Sequence, residues 1–198
     1  MAVKINALIK NGFKNETGFF IENTNKIIET VLYEHFFIER GVCETDASYK
    51  QIIPYVTVRR ADKLLLLKRL RSQNEKRLHG LLSIGLGGHI NETDINVYGK
   101  NENIIINGMH RELNEEISIG YSKAPEFIGI INDNSNDVGK VHLGFWFIID
   151  ADSEAFSINE LEKTEGRWIA KNELQRLTCE METWSSLLLN SKYLYSHL

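Results

Sequence analysis

Four apolar residues, Ile105, Met109, Leu113 and Ile117, recur at every fourth position along an otherwise polar stretch. That spacing predicts an amphipathic helix over residues 104–117, with Asn103 placed to cap its start. Elsewhere the period is two, or the run is continuous. Residues 52–60 alternate and are rich in β-branched side chains, and residues 63–69 are rich in leucine. Together they predict a hairpin turning at Ala61 and Asp62. Pro54 lies near the start of its strand, where a missing N–H costs no central ladder bond. Residues 81–86 predict a short strand leading into Gly87 and Gly88. Residues 126–132 and 141–150 predict a second hairpin around a loop at 133–140. Within it, residues 143–149 are almost continuously apolar, as suits a strand buried on both faces. A further strand is expected at 165–169 and helices at 171–177 and 182–191. Tyr55, Phe145, Trp146, Trp168 and Trp184 read as core aromatics.

Residues 1–48 read as an N-terminal extension that packs on a main domain of residues 49–198. Ile27, Ile28, Val31, Leu32 and Phe36 have helical spacing, with Asn23 or Thr24 as the cap, and Gly12 and Gly18 mark turns. Phe13, Phe19 and Phe20 are too apolar for a loose tail. Strands interleaved with helical stretches place the chain in the α/β class.

Composition narrows the function without naming it. Of 198 residues, 42% are hydrophobic and 25% charged, the balance of an ordinary globular protein. A net charge of −4 argues against a nucleic-acid polymer as partner and leaves a small nucleotide open. Cys43 and Cys179 form no CxxC pair and no metal spacing, so free thiols in a reducing compartment are expected. Residues 1–20 hold no apolar signal core, and no apolar run approaches the ~20 residues that span a bilayer. A cytoplasmic protein with no membrane partner is the expectation.

The chemistry lies on the predicted helix. Residues 111–116 read Arg-Glu-Leu-Asn-Glu-Glu, so Glu112, Glu115 and Glu116 stand at i, i+3 and i+4 on one face. On a helical wheel the apolar stripe lies roughly 90° from their mean direction. One face can be buried while its neighbour offers carboxylates to a cleft. Three like charges this close repel unless a cation joins them. Hard cations such as Mg²⁺ take carboxylate oxygens and substrate phosphates together, which points to an enzyme that cuts a phosphate anhydride.

Gly88 with Arg111, Glu112, Leu113, Glu115, Glu116 and Ile119 resembles the signature of the Nudix hydrolases. That signature runs Gly, five residues, Glu, seven residues, then Arg-Glu-aliphatic-any-Glu-Glu-any-Gly-aliphatic. Counted forward from Gly88, its first acidic position is Asp94. Counted back from Arg111 it is Asn103, beside Glu102. The counts differ because about nine extra residues, 95–103, interrupt the pattern. Ser118 replaces the last Gly, which would forgo a left-handed helix cap that Gly120 is placed to supply. The resemblance spans roughly residues 50–190. It is closest to a subgroup described as predicted phosphoesterases, which share runs like residues 50–55 and 83–90.

The resemblance implies a Nudix α/β/α sandwich with a mixed sheet, and Mg²⁺- or Mn²⁺-dependent hydrolysis of the pyrophosphate bond in a nucleoside diphosphate linked to another group. It implies Glu112, Glu115 and Glu116 as metal ligands and catalytic groups, with Arg111 orienting a helix glutamate. The general base is one of the three glutamates or an outside carboxylate among Asp94, Glu102 and Glu182. Gly87 and Gly88 allow close backbone approach to a ligand or to the helix, and Arg69 and Arg77, within a basic stretch that includes Arg71 and Lys76, are candidates for the substrate phosphates. His79, His89, His110 and His142 show no metal spacing, and His89 reads as structural. Homodimers are common in the family, and the apolar N-terminal segment offers a surface for one. Two other functions are compatible with such a fold: a non-catalytic ligand-binding module, and an isoprenoid-diphosphate isomerase, which needs a reactive cysteine in its cleft.

Overall fold

The β-branched run is longer in the molecule than its alternation suggests. In a computed structural model, which describes residues 1–70, 80–95 and 103–197, it forms one strand of 12 residues from Tyr49 to Arg60. Before that strand, β3, come β1 (Ala2–Lys4), α1 (Ile5–Lys10), β2 (Gly18–Phe20), α2 (Thr24–Glu34) and α3 (Arg40–Glu44). After it come β4 (Lys63–Arg69), β5 (Leu82–Ser83), β6 (Leu86–Gly87) and α4 (Ile104–Glu116). The remainder is β7 (Ile117–Ile119), β8 (Glu126–Asn132), α5 (Asp137–Val141), β9 (His142–Asp150), β10 (Phe156–Ile158), β11 (Thr164–Ala170), α6 (Thr183–Leu189) and α7 (Lys192–His197). Among the described residues the main sheet is mixed and nine-stranded, ordered β11-β4-β3-β9-β8-β2, with β1 and β6 also on β3 and β5 on β4. β7 and β10 form a separate ribbon. This is the α/β architecture with a large mixed sheet that the sequence implies. No helix among the described residues is long and apolar enough to cross a membrane.

The chain divides into two compact units. The first comprises residues 1–55, 87–111 and 128–146. Here β1 pairs antiparallel with β3, Ala2 opposite Gln51, and β2 pairs with β8, Phe20 opposite Ile130. Leu8, Phe13, Ile27 and Val31 are buried, and Phe19 meets the fully buried Trp146 edge to face at 5.1 Å. Lys50 is fully buried as well. Its ammonium donates to Asn132 Oδ1 at 2.7 Å and to the carbonyls of Gly139 at 3.3 Å and His142 at 3.4 Å. Burial lowers its pKa to about 8. A buried cation persists only when such acceptors surround it, so Lys50 fastens the loop before β9 to β3. That loop is itself partly helical, as α5.

The second unit comprises residues 56–86, 112–127 and 147–198. β4 pairs with β11 from Lys63 to Arg69, and Leu64, Leu65, Leu66 and Leu67 are all buried. The hairpin turn falls where expected, with Ala61 in the left-handed region at φ 51°. Three local expectations change here. The strand at 81–86 is two short pieces, because the Ser83 hydroxyl donates to the Gly85 carbonyl at 2.7 Å and turns the chain between them. The helix expected at 171–177 is a 3₁₀ helix, Lys171–Glu180. Trp168 and Trp184 are only half-buried, and the Trp168 indole N–H donates to the Glu154 carbonyl at 2.7 Å.

Candidate active site

α4 begins as its sequence dictates. The Asn103 carbonyl oxygen Oδ1 accepts the N–H groups of Ile105 and Ile106, each at 3.1 Å, and satisfies two donors that the helix leaves unpaired. The predicted stripe is buried throughout: Ile105, Met109, Leu113 and Ile117.

In the first unit, the helix approaches the turn at residues 91–94 closely. A Cβ on Gly108 would lie 3.0 Å from Ile90 and 3.1 Å from Asp94. Asp94 is fully buried. Arg111 grips it at two points, Nε to Oδ1 at 2.8 Å and Nη2 to Oδ2 at 3.0 Å, and donates also to the His89 carbonyl at 2.7 Å. Asn91 N–H and Asn107 Nδ2 hold the same turn, at 2.8 Å and 2.9 Å. Two-point pairing between a guanidinium and a carboxylate is strong and directional. The forward count of the motif is therefore the one the molecule realises: Asp94 takes the acidic position, and the extra residues follow it. Asp94, weighed above as a general base, is sealed beneath Arg111.

His89 packs edge to face against His142, with ring centroids 5.2 Å apart. Burial, with the cations Arg40 and Arg111 among its neighbours, pushes its pKa down to about 3, so the ring is neutral. Its Nε2 lies 3.1 Å from Nε2 of His142. Gly87 approaches β3 rather than the helix: a Cβ there would lie 2.6 Å from the Pro54 carbonyl oxygen. Gly88 is half-buried. The Glu182 carboxylate accepts from the N–H groups of Trp184 at 2.9 Å and Ser185 at 2.7 Å. It caps α6 and is not available as a base.

The glutamates belong to the second unit. Glu115 is exposed and Glu112 half-buried. Glu116 is 14% exposed, and Arg69 Nη1 stands 3.4 Å from its Oε2. Burial pushes the Glu116 pKa up to about 7; Arg69 opposes that, while Glu112 and Glu160 add to it. The helix end is fastened by Asn159, a residue that no local motif marks out. Its N–H donates to the Glu116 carbonyl at 2.9 Å, its Nδ2 to the Asn114 carbonyl at 2.8 Å, and its Oδ1 accepts from Ser118 Oγ at 2.9 Å. Ser118 therefore stands in β7, opposite Ser157, where extended backbone suits it. The expected glycine cap is not used; Gly120 has no positive φ.

Arg71, Lys76, Arg77, His79 and Glu102 lie outside the described residues. As they stand, no three Asp, Glu, His or Cys side chains among the described residues close on one point. The donor chemistry nevertheless fits a hard cation. Glu116 is a desolvated carboxylate beside a second carboxylate, Glu112, and burial with that like charge leaves it only partly ionised at neutral pH, a charge deficit that a cation would relieve.

No protein-family model matches the sequence. Protein YmaB of Bacillus subtilis strain 168 is 35% identical over 158 residues, covering 77% of this chain and 76% of that one. The crystal structure of Tm1382, assigned to the Nudix hydrolases, matches with a TM-score of 0.79 at 31% identity. The match covers 95% of this chain and 94% of Tm1382. The chain belongs to the Nudix family. A more distant Nudix structure, the domain of Shewanella oneidensis NrtR in complex with ADP-ribose, shares the fold alone, with a TM-score of 0.54 at 16% identity. It covers 75% of this chain and 88% of that domain.

Proposed function

We propose that this Nudix protein hydrolyses the pyrophosphate bond of a nucleoside diphosphate linked to another group. The observation that carries the reading is Glu116, a desolvated carboxylate at the end of a helix whose same face bears Glu112 and Glu115. Those three glutamates would hold Mg²⁺ or Mn²⁺. Such an ion, when bound, neutralises phosphate charge and lowers the pKa of coordinated water. The chain's own groups do the rest. Arg69 presents a guanidinium that can receive a phosphate oxygen. Arg111 and Asp94 lock the turn before the extra residues to the helix. Asp94 and Glu182 are engaged in structure, so among the described residues the candidates for general base are the helix glutamates, of which Glu115 is the exposed one. ADP-ribose in the NrtR domain supports a nucleoside diphosphate as the substrate class. No observation favours the isomerase: Cys43 is buried in α3 and Cys179 is exposed.

The test is chromatographic detection of the nucleoside mono- or diphosphate product with Mg²⁺ or Mn²⁺ over ADP-ribose, dinucleoside polyphosphates, NADH, nucleotide sugars and nucleoside triphosphates. Glu116→Gln runs alongside. Turnover on a member of the first four classes, lost in the variant, is the expected result. Metal binding without turnover on any member would replace hydrolysis with ligand binding.

A further inference from the structure

Among the arginines that meet carboxylates in the described residues, Arg111 and Arg69 do so differently in kind. Arg111 grips Asp94 with two contacts at 2.8 Å and 3.0 Å, and Asp94 has no exposed surface. Arg69 touches Glu116 with one nitrogen at 3.4 Å, and both side chains keep about 15% of their surface open, at 15% and 14%. Among the described residues, that single long contact leaves most of the guanidinium's donors uncommitted. The backbone of Arg69 is fixed nonetheless: its N–H donates to the Leu81 carbonyl at 3.0 Å, its own carbonyl accepts from Gly80 at 2.8 Å, and it stands opposite Thr164 in the sheet. The chain thus holds a cation firmly at its root and loosely at its tip, against a carboxylate of the helix face.

We propose that Arg69 is an exchangeable counter-ion, resting on Glu116 while the helix glutamates lack a divalent cation and displaced by that cation toward the diphosphate of the substrate. The proposal rests on the hydrolase reading and gives Arg69 a positioning role within it. Competition is its content. A divalent ion and a guanidinium cannot share the same Glu116 oxygen without repelling one another. Removing the guanidinium therefore makes metal binding easier and substrate binding harder. A residue that merely shaped Glu116 for its ligand would do the opposite to the metal.

Calorimetry with Mn²⁺ alone separates these. Arg69→Gln should bind Mn²⁺ more tightly than the unaltered chain, by about tenfold for the loss of one charge-assisted contact. In turnover assays its KM should rise more than its kcat falls. Arg69→Lys, whose ammonium can make the same single contact, should return the Mn²⁺ affinity toward the original value. Unchanged or weaker Mn²⁺ binding by Arg69→Gln would overturn the proposal and leave the hydrolase reading standing. An unaltered chain that binds no Mn²⁺ at all would overturn both. Should the glutamine variant fail to fold, side-chain ¹⁵N NMR of the unaltered chain decides. Mg²⁺ should shift the Arg69 guanidinium signals and leave those of Arg111 in place, and an Arg69 signal indifferent to Mg²⁺ refutes the exchange.

Discussion

Replacing Glu116 by glutamine should stabilise the metal-free protein fully above about pH 7, by an amount that shrinks to nothing as pH falls to 4.5. Burial raises this carboxyl from 4.5 to about 7. Below pH 4.5 the proton is present in both the folded and the unfolded chain, and the group contributes no pH dependence. Between 4.5 and about 7 the folded chain keeps a proton that the unfolded chain has lost. Stability then falls as pH rises, because the folded state binds more protons. Above that window both are ionised and the full cost is present. At 1.36 kcal/mol per pKa unit that cost is about 3 kcal/mol. For a chain of this size it corresponds to roughly 6–12 °C in Tm. Glutamine keeps the shape and loses the ionisation, so its Tm should not show this fall. Thermal unfolding by circular dichroism in EDTA, at pH 5 and pH 8, measures the difference. Mg²⁺ at pH 8 should raise the Tm of the unaltered chain and barely move that of the variant. Parallel Tm curves for the two proteins across this range would refute the reasoning, since Glu116 would then titrate as an ordinary surface acid.

Two further substitutions test the scaffold. Asp94→Asn removes the anion beneath Arg111 and should cost about 3 kcal/mol in urea unfolding, the scale for breaking a buried pair by deleting one partner; a loss below about 1 kcal/mol would show that the clamp is solvent-screened. Gly87→Ala would place a Cβ 2.6 Å from the Pro54 carbonyl. Both are main-chain positions in paired strands, so about 2 kcal/mol of overpacking strain is expected, and an unchanged Tm would refute it.

What the sequence disclosed was mostly local. The stripe from Ile105 to Ile117, the Asn103 cap and the hairpin turn at Ala61 each follow from neighbours within a few residues, and each is found where the pattern puts it. The three glutamates share a face because helix geometry requires it. What escaped reading depends on partners distant in the chain. Lys50 looks like a surface lysine until Asn132 and two carbonyls surround it. Asn159 looks like a loop residue until it meets the end of α4. Gly87 was legible as a close approach but not as an approach to β3. Ser118 follows the helix motif in sequence, but the strand that starts at Ile117 is set by pairing with residues 156–158, some 40 positions on. The two counts of the motif could be reconciled only by seeing which carboxylate Arg111 reaches.

The junction between α4 and β7 has a consequence for how such a site can diverge. Glu116 is the last residue of the helix, and the next residue already belongs to the β7–β10 ribbon. The far strand of that ribbon leads through Asn159, tied to the Glu116 carbonyl, to Glu160, whose charge acts on the Glu116 carboxyl. Residues 156–160 therefore form a tuning element, separate in sequence from the motif it adjusts. Change there can alter the depth and charge of the third glutamate while Arg-Glu-Leu-Asn-Glu-Glu stays intact. Diversity libraries aimed at a new substrate or metal preference have a reason to begin on that ribbon and leave the helix untouched.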